Sequence, residues 1–561
     1  MKGLATIDII VFLFYFIIVA GYGYWIYLKK KKTTTDTKDF FLAEGSLTWW
    51  AIGASLIASN ISAEQFIGMS GEGFFVGTAV AAYEWIAALA LIIIAIWFMP
   101  IYLKNKIFTM PQFLTNRYNE TVALIMAVFW LFLYVFVNLT SILYLGAVAI
   151  NGLVGGQYLH LIMVLLAVFA LIITLGGMKV IGYTDVIQVA VLIIGGLATT
   201  YMALLIVSEK FGFGKDVIAG FNTLLKEAPD HFHMILDKPG PNATQEEINK
   251  YLVLPGIAMY FAGQWIVNLN YWGCNQYITQ RALGANLQTA RTGILFAGLL
   301  KLMMPVIVML PGIAAYVLYK NGHLPQLEGG SKDGAYSAIL SFLPSGLKGL
   351  SVAALTAAIV ASLAGKANSI STIFTLDIYK KYIKPGADEK KLVWTGRVTI
   401  FVAMIVSVLF TWNDTLGIGG EGGFTFIQKY TGFISPGVFA MFILGMFWKR
   451  TTGAAAIAGV ICGFALSVFF NNYAPSLLGN ETILYTAYPN GKGGYEIPFL
   501  INMGWSFFFT MLVMILISLR GPKVNPKSFI FEKGMFKVSN SVLVLIIITL
   551  LLLTALYVRF W

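Results

Sequence analysis

Charge is scarce in this chain: only 11% of its 561 residues are Asp, Glu, Lys or Arg, where a soluble domain carries roughly 25%. Together with a 58% hydrophobic content and a mean hydropathy of +0.78, that shortage excludes an ordinary soluble domain and indicates an all-α polytopic membrane protein. Cysteine is scarcer still. Cys274 and Cys462 are the only two, both inside apolar runs and without metal-ligand spacing. Of the four histidines only His231 and His233 lie close together, in a polar loop where a solvated surface is the expectation rather than a metal site. No P-loop, nucleophile elbow or zinc signature occurs, so neither ATP hydrolysis nor other enzymology has a foothold. Gly417-Ile418-Gly419-Gly420-Glu421-Gly422 spells a dinucleotide fingerprint as a string, but it joins two apolar runs with no strand before it and reads as a turn. The net charge of +12 does not indicate nucleic acid, because an excess of Lys and Arg in a membrane protein is first of all a topological device.

What is present is a series of apolar runs of about 20 residues, the length that spans a bilayer. Fourteen are predicted, at 4–28, 48–70, 77–103, 120–149, 158–178, 183–208, 252–277, 290–319, 348–379, 393–412, 424–447, 452–471, 498–519 and 540–559. The first is too long for a signal-peptide core and carries its basic cluster, Lys29 to Lys32, on the wrong flank. It reads as a retained span with its N-terminus outside. With that orientation 24 of the 38 Lys and Arg fall on the cytoplasmic side and 11 outside, five of the latter in the long 209–251 loop. The alternation supports both termini outside. Gly73/Gly77 and Gly459/Gly463 have the small-residue spacing of close helix contacts.

The stretch Ala58-Ser59-Asn60-Ile61-Ser62-Ala63-Glu64-Gln65-Phe66-Ile67-Gly68-Met69 is crowded with polar groups inside the second span. In hydrocarbon such a run persists only where it lines a cavity or binds something, and unwinding there would free carbonyls such as those of Ala58 and Ile61 to face a cation. The competing reading is a helix whose small residues pack against a neighbour. Other polar residues lie inside spans: Glu84 in Tyr83-Glu84-Trp85, Asn268 in a seventh span expected to be interrupted at Asn268-Leu269-Asn270, Lys301 in the eighth and Gln428 in the eleventh. A charged residue in a span is by default functional, although Glu84 and Lys301 could instead form a structural ion pair. Amides, a carboxylate and an ammonium together suit an uncharged solute with many hydroxyls, and Tyr271 and Phe424 add flat apolar faces.

Almost the whole chain resembles the solute:sodium symporter family. The resemblance rests on the stretch 58–69, Tyr83-Glu84-Trp85, Phe136-Val137-Asn138-Leu139-Thr140-Ser141, Thr184-Asp185-Val186-Ile187-Gln188, Tyr271-Trp272-Gly273, Leu310-Pro311-Gly312-Ile313-Ala314-Ala315-Tyr316, Asn368-Ser369, Tyr430-Thr431-Gly432 and Ser435-Pro436-Gly437. It implies the leucine-transporter fold, a five-plus-five inverted repeat with broken helices. Residues 1–47 would then form the first span and a basic loop, 48–208 the first repeat, 209–251 an extracellular loop, 252–447 the second repeat and 448–561 three further spans. It also implies sugar contacts at Gln65, Glu84, Asn268, Lys301 and Gln428 with Tyr83 and Trp272 beside them, Tyr271 as an inner gate, and Met69, Tyr134 and Phe424 as outer lining. Sodium would be held by the carbonyls of Ala58, Ile61 and Ala358 and by Ser362.

Three positions depart from the sugar symporters of the family: Ala87 replaces a serine, Ala361-Ser362 replaces two consecutive serines at the sodium site, and Lys366 replaces an apolar residue. Asp185 is read either as an exit-path residue attracting a departing cation or as a helix cap, and as the candidate neutraliser of Lys366. The expected function is sodium-coupled import of a monosaccharide such as galactose or glucose across the plasma (inner) membrane by alternating access, with sodium, a sugar and the bilayer as partners. The alternatives are the same machine for a polyol, amino sugar or nucleoside, sodium-independent or proton-linked sugar transport, and a sensor with the same fold, which would be expected to carry an added signalling domain.

Overall fold

The computed structural model describes residues 4–29, 40–41, 47–154, 156–324, 327, 332–414 and 423–561. The stretch 417–422, expected as a turn, therefore lies outside the described residues. Among those described, ten helices are long and apolar enough to cross a membrane, or eleven if the bent pair Gln245–Phe261 and Gln264–Cys274 counts as one. Four of the fourteen expected spans are not single long helices. The second breaks after Trp49–Asn60, the fifth is the short Leu159–Thr174, the seventh bends by 79°, and the eleventh divides into Gly423–Gly432 and Ser435–Phe447.

Burial separates inner from outer helices. The most apolar window of Leu347–Ile383 is 83% buried, whereas those of Thr6–Leu28 and Asn540–Phe560 are 22% buried and display large hydrophobic side chains, as lipid-facing helices do. Met178–Lys210 runs along Leu347–Thr372, and Trp49–Asn60 packs against both Met178–Lys210 and Leu287–Val308. A hydroxyl pair, Thr199 Oγ1 and Ser351 Oγ at 2.6 Å, pins the first contact. The small-residue pairs pack closely as expected: a Cβ on Gly463 would lie 2.6 Å from Gly437 Cα.

The second span stops at Ile61, whose backbone is extended (φ −77°, ψ 109°), and resumes as a π-helix over Glu64–Met69. The polar residues of the break satisfy its freed amides. Ser62 N donates to Gln65 Oε1 at 3.2 Å and Glu64 N to Ser62 Oγ at 3.2 Å. Because Ser62 N turns to a side chain, the Ala58 carbonyl loses the partner that an unbroken helix would give it.

The expected interruption at Asn268-Leu269-Asn270 is not observed. Gln264–Cys274 is continuous there, because Asn268 Nδ2 donates back to Gln264 O and Asn270 Nδ2 to Ser435 Oγ, so both side-chain amide nitrogens find acceptors without unwinding. The break comes later, at the extended residue Asn275, before the short helix Gln276–Leu283.

His231 is not solvated. It is 3% exposed, stacks on Tyr316 at 3.9 Å between centroids, and its Nε2 donates to Phe74 O at 3.1 Å. Burial pushes its pKa from 6.5 to about 4. The unfolded chain then binds the extra proton between those values, so stability is full above pH 6.5 and falls as the pH drops towards 4. The maximum loss is about 3 kcal/mol. Melting temperatures measured at pH 7 and pH 4.5 are expected to diverge less in His231→Gln than in the parent.

Candidate functional site

The break in the second span faces the first turn of Ala82–Ile93, the middle of Leu287–Val308, and the helices Gln264–Cys274 and Gly423–Gly432. Between them lies a cavity with a free volume of about 90 Å³. Lys301 is its electrostatic centre. The Nζ donates to Glu84 Oε2 and to Asn60 Oδ1 and lies 5.3 Å over the Trp272 ring. Asn60 in turn donates to the Tyr271 hydroxyl at 3.0 Å. The ammonium and the carboxylate are 1% and 3% exposed as side chains, and a pair so buried is tolerable only with its remaining hydrogen bonds satisfied. The two form a buried ion pair, and both line the cavity.

Gln65, Asn268 and Gln428 also line the cavity, as do Tyr83, Tyr271, Trp272 and Phe424. Gln65 Oε1 is engaged in capping the break, accepting from Ser62 N and Oγ. Phe424 meets Tyr83 edge-on at 5.2 Å and sits against Gly68, where a Cβ would approach Phe424 Cβ to 2.5 Å. Any larger residue at position 68 would push this wall apart.

Below the break is a second feature. Ser362 Oγ lies 3.3 Å from Ala58 O, 3.1 Å from Ser59 O and 3.3 Å from Ile61 O. A hydroxyl has one proton to donate, so Ser362 can satisfy only one of these three converging carbonyls at a time. Ala358 is one turn before Ser362 on the same helix, and Ala361 adds only a methyl group. The uncharged, oxygen-only donor set fits a hard monovalent cation.

A family model described as the sodium:solute symporter family matches residues 40–463. The chain belongs to that family. Over 100% of its length it is 43% identical to a sodium/glucose cotransporter of Vibrio parahaemolyticus, covering 99% of that protein. The sodium/myo-inositol cotransporter 2 of Mus musculus is 34% identical over 77% of this chain and 65% of its own length. The sodium/glucose cotransporter 1 of Ovis aries is 31% identical over 76% and 66%. A solved Na⁺-coupled sialic acid symporter in a substrate-bound outward-open state superposes with a TM-score of 0.74 at 19% identity, over 93% of this chain and 99% of that one. It shares the fold. Membership of a sodium:solute symporter family makes the protein a multi-pass membrane transporter and not an enzyme.

Within this symporter, two residues expected as lining are not on the cavity wall. Met69 is fully buried, and the Tyr134 hydroxyl donates to Asn275 Oδ1 and accepts from Gln276 N, which ties it to the break of the seventh span. Asp185 is not a helix cap. Its helix begins at Met178 with Gly177 at the cap, so Asp185 lies two turns inside, accepting from Ser55 Oγ at 2.5 Å and standing 3.9 Å from Arg281 Nη2. Nor does it neutralise Lys366, because Arg281 already faces it.

The partner of Lys366 is Glu64. Its Oε1 lies 3.9 Å from Lys366 Nζ, which also sits 5.0 Å over the Tyr277 ring, and both charged residues line the cavity. Lys366 has not snorkelled, being 4% exposed. The sequence reading missed Asn60 and Glu64 as cavity residues and Arg281 as the partner of Asp185. All three carry a signal, a polar side chain within or one turn beyond an apolar span, but which polar residues converge depends on how the helices cross.

Proposed function

We propose that the protein is a sodium-coupled symporter that imports a monosaccharide such as galactose or glucose by alternating access. Cation cage and sugar cavity share one backbone break. Ala58, Ser59 and Ile61 turn carbonyls to the cage while Asn60, between them, holds Lys301 and Tyr271 on the cavity side. A sodium ion bound to those carbonyls fixes the conformation of Asn60, and a sugar that orders Asn60 and Lys301 fixes the carbonyls. The coupling is therefore reciprocal. Gln65, Glu84, Asn268, Lys301 and Gln428 bind sugar hydroxyls, Tyr83, Tyr271, Trp272 and Phe424 pack on the ring, and Ala58, Ile61, Ala358 and Ser362 hold sodium.

The reading includes fourteen spans, with 48–208 and 252–447 as inverted repeats, in the plasma membrane with both termini outside. Supporting it are the cotransporter names of the relatives and the fold shared with a Na⁺-coupled symporter. A second reading, sodium-independent or proton-linked sugar transport, is favoured by one observation, the ammonium of Lys366 one turn from Ser362.

Labelled glucose, galactose and myo-inositol are to be offered to proteoliposomes with and without an inward sodium gradient. Hexose uptake driven by the gradient is expected. Hexose uptake indifferent to sodium would replace the first reading with the second, and uptake of the polyol alone would change the substrate class.

A further inference from the structure

A groove with a free volume of about 310 Å³ lies between Thr6–Lys29, the end of Leu159–Thr174, the start of Met178–Lys210 and the first turns of Glu389–Thr411. Its walls are apolar, with Val19, Ala20, Gly23, Ile172 and Val180 along its length, and among the described residues lining it Arg397 alone is charged. The guanidinium carbon of Arg397 is 5.7 Å over the Phe40 ring, and its Nε is shut off from solvent with no hydrogen-bond acceptor. An N–H in that state is destabilising until an acceptor reaches it. Lys179 lies in the first turn of Met178–Lys210, and Lys390 and Lys391 lie in the first turn of Glu389–Thr411, ends that the positive-inside rule assigns to the cytoplasm. Ile172 and Tyr24, on facing walls, are 54% and 65% exposed, so the slot opens towards hydrocarbon.

The complement of an apolar slot that ends in an arginine whose Nε lacks an acceptor is an amphiphile with an anionic head. Arginine presents its N–H groups as a fork matched to phosphate oxygens, and basic pockets between helices on the cytoplasmic side take anionic headgroups. Free phosphate would meet the guanidinium and leave the slot bare.

We propose that this groove binds an anionic phospholipid of the cytoplasmic leaflet, with its phosphate on Arg397 and an acyl chain along Val19, Gly23 and Ile172. The site is separate from the transport cavity and does not depend on the substrate assigned to it.

The test uses the full chain in detergent, with phosphatidylglycerol, phosphatidylcholine of the same acyl chains, and inorganic phosphate as probes. Native mass spectrometry and the melting temperature are the readouts. Phosphatidylglycerol is expected to remain bound and to raise the melting temperature, while the other two do neither. Arg397→Gln should weaken phosphatidylglycerol binding by at least about tenfold, and Arg397→Lys by less, because the charge remains without the fork. Ala20→Phe, which fills the slot and leaves the guanidinium untouched, should also weaken it, and it decides the matter if Arg397→Gln does not fold. Equal binding of the two lipids would overturn the proposal. So would an effect reproduced by inorganic phosphate, or parental phosphatidylglycerol binding in both Arg397→Gln and Ala20→Phe.

Discussion

Sugar binding is expected to weaken at least about tenfold, or 1.4 kcal/mol, in both Asn268→Ala and Gln428→Ala, with no loss of folded protein. These two residues separate a ligand role from a structural one, which Lys301 and Glu84 cannot do. Lys301→Met would leave the Glu84 carboxylate, 3% exposed, without its cation. Breaking a buried pair in that way typically destabilises by about 3–5 kcal/mol, so loss of activity there would have two explanations. Asn268 makes only a local bond through its Nδ2 to Gln264 O, within its own helix, leaving Oδ1 for a ligand, and Gln428 lines the opposite wall on Gly423–Gly432. Truncating either removes a proposed partner of the sugar and leaves no buried charge behind. A site built to hydrogen-bond a hydroxyl rejects analogues lacking it by up to ~10⁴-fold, so each variant should also lose discrimination against one deoxy sugar. Calorimetric titration of the purified variants with galactose and glucose measures this, and unchanged affinity in both would remove the two residues from the sugar site.

Lys366→Met is expected to lower the sodium concentration that half-activates transport. Lys366 is four residues beyond Ser362 on one helix, roughly 6 Å along its axis. At that distance and an effective dielectric of about 20, its repulsion of a bound sodium ion is at most ~3 kcal/mol. Glu64, 3.9 Å from the ammonium, offsets part of it. Removing the lysine both ends the repulsion and frees the Glu64 carboxylate to attract the ion. A shift of several-fold to lower sodium is therefore the direction to look for in uptake assays. Glu64→Gln should move activation the other way, since it leaves the ammonium unopposed, and the double variant should fall between them, which tests whether the two act as a pair. A sodium requirement unmoved by Lys366→Met would show that the charge does not reach the cage.

Long apolar runs, their basic flanks and the polar residues inside them are local properties, which is why they could be read directly. A bilayer has no water to satisfy a stray amide or charge, so Gln65, Glu84, Asn268, Lys301 and Gln428 stand out in one dimension, and all five meet in one cavity. The break at Ile61 was legible for the same reason. Its counterpart in the seventh span was not, because whether Asn268 and Asn270 unwind a helix depends on what lies opposite: Gln264 O and Ser435 Oγ accept from them, and the chain opens at Asn275 instead. Charge pairing was also decided in three dimensions. Depth along a span says which level a side chain occupies but not its azimuth, so Asp185 looked available to Lys366 until the packing of Trp49–Asn60 against both Met178–Lys210 and Gln276–Leu283 placed Ser55 and Arg281 beside it. The sequence by itself determined a multi-pass helical transporter and the polar residues of its site. The tertiary structure decided which of them touch, because a partner in a low-dielectric core is chosen by how the helices cross, and that depends on residues far apart in the chain.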